Sequence, residues 1–127
     1  MTLFRGIGAT GGTPKSMFAQ PDGASYYMTF ESPVGTDYVV PTGKTFKVTR
    51  ILAAFGGSIL SLGHGTEGIP SQAAGPAGQV ILIGGNFAYP TTAVYGLDIY
   101  LEIPAGKYPY VQQGIANNWC ILFGIEE

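Results

Sequence analysis

Short runs of β-branched and aromatic residues recur along the chain, separated by glycine- and proline-rich breaks. No 12-residue window carries the apolar stripe of a capped amphipathic helix. The spacing is that of a β-sandwich or barrel. The clearest strand holds Leu97, Ile99, Leu101 and Ile103 on one face and Asp98, Tyr100 and Glu102 on the other. In Thr45–Phe55, Phe46 and Val48 share one parity, and Ile51, Ala53 and Phe55 share the other. A β-bulge near Thr49-Arg50 would bring both sets to one core. Further strands are expected at Ser25–Phe30, Asp37–Val40, Ser58–Leu62, Val80–Ile83, Lys107–Gln112 and Trp119–Ile125. Val80–Ile83 is continuously apolar, which predicts a strand covered on both faces. In the last strand Trp119, Ile121, Phe123 and Ile125 are expected to face the core. Cys120 and Leu122 then form a second apolar face, covered by another element or another subunit. Residues 1–23 have no period and are expected to be an extended Gly-rich arm. Residues 63–78 are expected to be a loop, and residues 24–127 a single domain.

One internal echo organises these strands. Pro41-Thr42-Gly43-Lys44 and Pro104-Ala105-Gly106-Lys107 each follow an apolar run and precede another strand. Proline cannot donate to a ladder and glycine accepts positive φ, so each reads as a turn. The pair is either a coincidence of turn chemistry or the mark of two similar β halves. The second reading gives an antiparallel, jelly-roll-like β-sandwich of about eight strands.

Composition then narrows the function classes. At 127 residues the chain can bury a core without disulfides or a metal. Only 11% of residues are charged, against about 25% in ordinary soluble domains. Either a polar uncharged surface keeps a monomer soluble, or much of the surface is covered by partners, where charge is depleted. The scattered Lys15, Lys44, Lys47 and Lys107 form no basic stripe, so no nucleic-acid partner is expected. No apolar stretch reaches membrane length, and no membrane partner is expected. The start of the sequence lacks a signal-peptide pattern, so folding in a cytoplasm is expected.

Candidate chemistry is sparse, and no enzyme activity, cofactor or metal is expected. Gly6-Ile7-Gly8-Ala9-Thr10-Gly11 matches a dinucleotide-binding pattern. It has almost no strand before it, and Gly12-Thr13-Pro14 breaks any helix after it. Gly43-Lys44-Thr45 resembles the tail of a phosphate-binding loop, but Tyr38 stands where its first glycine belongs, and a strand follows. His64 is the sole histidine, and Cys120 sits in an apolar strand where a thiol is inert packing. Asp98 and Glu102 lie roughly 13 Å apart along one strand, too far for a paired-carboxylate site. The eight tyrosines suit strands, protein interfaces or sugar stacking equally.

The stretch Asp37–Glu126 resembles small jelly-roll structural proteins of tailed bacteriophages. The likeness rests on Val40–Lys44, Ile103–Tyr108 and Ile121–Glu126. It implies a virion structural protein assembled in the host cytoplasm, a capsid decoration or cement protein that stabilises the head. The implied partners are itself, as a homotrimer, and the major capsid protein or another virion protein. A carbohydrate- or receptor-binding module of a tail fibre is the alternative, with Tyr89, Tyr95 and Tyr100 stacking on sugars. The candidate interface residues are Leu3, Phe4, Arg5, Met17, Phe18, His64, Tyr89, Tyr95, Tyr100, Cys120 and Leu122.

Overall fold

The computed structural model describes residues 12–20, 27–54, 59–68, 75–88, 94–113 and 119–127. They form eight strands: β1 (Thr13–Ala19), β2 (Tyr27–Thr29), β3 (Phe46–Ala54), β4 (Ile59–Gly65), β5 (Val80–Ala88), β6 (Val94–Ile103), β7 (Tyr108–Gln113) and β8 (Trp119–Glu126). There is no helix among the described residues. Sheet A has the order β1-β8-β3-β6, and sheet B the order β2-β7-β4-β5. Every pairing is antiparallel, and β1 pairs with β8, β2 with β7, β3 with β6 and β4 with β5. This nesting is a long hairpin rolled into two layers, which is the jelly-roll arrangement.

The core lies between the sheets. Phe46, Val48, Ile51 and Ala53 on β3 are all buried in it. The two parities meet on one face because the register shifts between Val48 and Arg50 on both sides of β3. The bulge expected from the apolar pattern is therefore present. Ile103 is fully buried, and Leu97, Ile99 and Leu101 pack against the same cluster.

The two Pro-x-Gly-Lys segments fold alike. Lys44 N donates to Pro41 O at 3.1 Å, and Lys107 N to Pro104 O at 3.3 Å. Gly43 and Gly106 both have φ of 79°, the value a type II turn requires at its third residue. The turns lie side by side: Gly106 N donates to Val40 O at 2.8 Å, and Val40 N to Lys107 O at 3.0 Å. The echo is thus one structural device used twice, once before β3 in sheet A and once before β7 in sheet B.

Four expectations are corrected. The arm expected over 1–23 includes a strand, since Thr13–Ala19 pairs along β8. Its Pro14 is tolerated because β1 is an edge strand and needs no second ladder there. Asp37–Val40 is not a strand; only Asp37 bridges, to Glu31. Tyr38 and Val40 send their N–H groups to Phe30 and Lys107 separately. Val80–Ile83 is not covered on both faces: β5 is the edge of sheet B, with Val80 48% and Ile81 55% exposed. The strand also runs on through Gly84-Gly85-Asn86 to Ala88. Finally, the loop expected over 63–78 begins later, because β4 extends to Gly65.

Candidate interaction surface

Cys120 and Leu122 are both 0% exposed and belong to the inter-sheet core. The seam expected on them is corrected: the outward face of β8 carries Trp119, Ile121, Phe123 and Ile125. Cross-strand register fixes their neighbours. One row across sheet A runs Phe18, Ile121, Leu52, Gly96; the next runs Ser16, Phe123, Arg50, Asp98; a third runs Pro14, Ile125, Lys47, Glu102. Phe18, Leu52, Trp119, Ile121 and Phe123 are all partly exposed. Together they form an uncharged apolar band along β8 and its flanks.

The cations of β3 beside the band are paired. Arg50 donates to Asp98 at 2.6 Å, and its guanidinium lies over Gly96, where any side chain would collide with it. Lys47 Nζ donates to Glu127 at 2.9 Å, and that carboxylate raises the ammonium's pKa. Tyr100 donates to Glu102 at 2.8 Å. Exposed pairs like these add little stability. Their effect is spatial: Arg50 meets Asp98 on β6, and Lys47 meets Glu127 at the end of β8.

A groove follows the band. Near β3 it encloses about 370 Å³, lined by Ser16, Thr49, Phe123 and Ile125 among others. Past Ser16 a second depression of about 220 Å³ reaches Phe18, Ile121, Glu31 and Val34. Val34 stands 79% exposed on its rim. It belongs to the turn that follows Glu31, which exchanges two backbone hydrogen bonds with Phe18 and so covers part of the β1 edge.

The other candidate residues are scattered. Met17 is 2% exposed and lies in the core. His64 is likewise internal at 5% exposure, on the inward face it shares with Leu62. Neither presents a surface. Tyr100 is 62% exposed on the outer face of β6. Tyr95 is placed by backbone register alone, opposite Ala53. Leu3, Phe4, Arg5 and Tyr89, with the whole Gly6–Gly11 pattern, lie outside the described residues. The segment after β4 packs back onto sheet B at two described points. Pro76 is buried against Gly65, and Gln79 accepts a 2.6 Å bond from Tyr110.

Chemical groups do not converge. Among the described residues no cluster of three or more His, Cys, Asp or Glu could hold a metal ion. Burial pushes the Cys120 thiol up, out of the reactive range. Asp98 and Glu102 are engaged by Arg50 and Tyr100 respectively. Gly43-Lys44-Thr45 leads into β3, not into a helix. No described helix is long and apolar enough to cross a membrane.

His64 instead sets a pH dependence. Its Nδ1 is buried without a hydrogen-bond partner. Burial, and secondarily the Lys107 charge, lowers its pKa below the ordinary value. The folded state therefore favours neutral imidazole. Its stability contribution is complete above the unfolded pKa of about 6.5 and is lost as pH falls below it. Denaturant melts between pH 7 and 5 are expected to show stability declining in wild type and declining less in His64→Leu. Equal slopes in the two proteins would contradict this. Carboxylate titrations are common to both and cancel in the comparison.

No protein-family model, no curated protein and no solved structure matches this chain.

Proposed function

We propose that this protein is a structural subunit of a virus particle, a jelly-roll decoration or cement protein that stabilises a phage head through contact area. In this reading it acts as a homotrimer seated on capsid subunits and is made in the host cytoplasm. The observation that carries the reading is the outer face of sheet A. An apolar band of Phe18, Leu52, Trp119, Ile121 and Phe123 runs along β8 and its flanks, and the neighbouring Arg50 and Lys47 are paired with Asp98 and Glu127. Such a surface suits burial against a partner, where unpaired charge would be costly. Native mass measurement on the purified protein is expected to give an oligomer. Shells lacking the protein are expected to bind it saturably and to resist heat better afterwards. A monomer that leaves such shells unchanged would sink the reading.

One observation favours sugar recognition in a tail-fibre module as a second reading. Tyr100 presents an exposed ring on β6, held by its bond to Glu102. A planar ring beside a carboxylate suits sugar stacking with hydroxyl hydrogen bonds. Binding on a glycan array that Tyr100→Ala abolishes would decide for this reading.

A further inference from the structure

We infer that the larger hollow on the outer face of sheet A seats the turn Ser32–Thr36 of a second copy of this chain, with Val34 at its tip. This rests on the assembly reading above and specifies which surfaces meet. Three features lead to it.

The first is a hollow that the fold builds and does not fill. β3 carries one extra residue between Val48 and Arg50. Thr49 therefore separates the rows of Lys47 and Arg50 and leaves a gap in the outer face. Phe123 and Ile125 of β8 wall the gap, with Pro14, Lys15 and Ser16 of β1 beyond them. Its volume of about 370 Å³ lies in the range of roughly 300–1,000 Å³ that holds a small ligand. One branched side chain with part of a neighbouring proline fits such a space.

The second is a preformed knob. Val34 is 79% exposed, the most of any large hydrophobic residue among the described ones. Its turn is tied together: Ser32 N donates to Thr36 O at 2.9 Å, Thr36 N to Pro33 O at 2.9 Å, and Gly35 N to Glu31 Oε1 at 2.7 Å. A knob already in shape loses little freedom on docking. It does not reach the hollow of its own chain. Glu31 and Phe18 exchange two backbone hydrogen bonds, which hold the turn beside Phe18 and Ile121. The hollow starts at Ser16 and extends to Pro14, roughly 13 Å from Phe18 along the strand. Only another molecule brings a Val34 there.

The third is charge. Glu31 and Asp37 bridge across the base of the turn, and the Glu31 charge, second to burial, raises the Asp37 pKa. The knob therefore stands on an acidic pair. Lys15 lines the hollow, and among the described residues it has no ion pair, whereas Lys47 and Arg50 are paired within the chain. A turn seated from outside brings its carboxylates towards Lys15. The knob alone falls short of the about 800 Å² per partner of a stable interface. The hollow opens at Phe123 onto the apolar band, so a seated copy covers band surface as well. Knob and hollow are different surfaces, so the contact is head-to-tail and closes into a ring when the rotation allows.

The test uses full-length chains with one new cysteine each, since Cys120 is buried in the core. A Val34→Cys chain is mixed with a Thr49→Cys or a Pro14→Cys chain and treated with a short bifunctional maleimide. The expected result is a heterodimer well above the homodimer background of each chain alone. Val34→Asp is expected to weaken self-association at least about tenfold, as for one aliphatic side chain no longer buried. Its thermal midpoint under monomeric conditions is expected to match wild type, because Val34 is exposed in the single chain. Two results overturn the proposal: no heterodimer with either hollow cysteine, or Val34→Asp self-associating as wild type does. If the wild type is an oligomer by mass and either result is found, the seating of the turn fails and the assembly reading stands. If the wild type is a monomer, both fail.

Discussion

Phe46→Ala is expected to lower the free energy of unfolding by about 3–5 kcal/mol, the range for emptying a buried aromatic site. The measurement is a denaturant melt, where the midpoint falls and the slope stays constant. Phe46 is fully buried and meets the Tyr38 ring edge-on, with centroids 5.5 Å apart. Tyr38 is itself fixed by donating to Glu126 at 2.6 Å, and burial with that bond pushes its phenol pKa up. The Phe46 ring fits because Gly124 on β8 has no side chain: a Cβ there would lie 2.6 Å from Phe46 Cζ and closer still to the Lys47 carbonyl. Gly124→Ala alone should therefore cost about 1–3 kcal/mol by overpacking. The double variant should cost less than the sum, since removing the ring frees one of the two obstructions. Additivity within about 0.5 kcal/mol would show that the ring does not sit over Gly124.

Gly63→Val is the corresponding test of sheet B, with an expected loss of about 2–4 kcal/mol from overpacking and one broken hydrogen bond. A Cβ at Gly63 would lie 2.9 Å from Tyr110 Oη and 3.0 Å from Cε2, and would strike the Val80 carbonyl. Tyr110 fills the trough left by the glycine, with Tyr27 at 6.0 Å and Gln79 accepting its hydroxyl proton. Burial pushes the Tyr110 phenol up to about 12. Displacing it should return that group towards the ordinary value near 10. Absorbance titration of wild type and variant reads this directly, and an unchanged high-pH phenol in a destabilised variant would disprove the displacement.

Sequence pattern conveyed the layers better than it conveyed the surfaces. The Thr49-Arg50 bulge was legible because Phe46, Val48, Ile51 and Ala53 are apolar on two parities, and one extra residue reconciles them. The paired turns were legible because only glycine sits easily at φ of 79°. In β8 both parities are apolar, and period 2 cannot say which faces inward. The larger side chains, Trp119 and Phe123, suggested the wrong one. The inner face takes the smaller Cys120 and Gly124 because Phe46 from β3 occupies the space over Gly124. Val80–Ile83 misled for a related reason: a continuous apolar run reads the same on a covered strand and on a free edge. Thr13–Ala19 looked like loop because Gly12 and Pro14 read as breakers, and a proline is tolerated in an edge strand. Nothing in the pattern told that Gly63 and Gly65 would seat Tyr110 and Pro76 from elsewhere in the chain.

The nested pairing of strands also imposes an order in time. β4 and β5 are joined by the shortest span of any of the four nested pairs, and β1 and β8 by nearly the whole chain. Closing entropy grows with the span closed, and pairings distant in sequence slow folding. Each closure brings the next pair nearer, so the roll zips outward from β4–β5 and seals with β1 against β8. Hydrogen exchange should then find the first-formed hairpin and the last-formed seam protected to different degrees, with β1 opening before the sheet beneath it. A chain built this way completes the outer face of sheet A only at the last step of folding, so under the proposed assembly a partly folded chain lacks its docking surface.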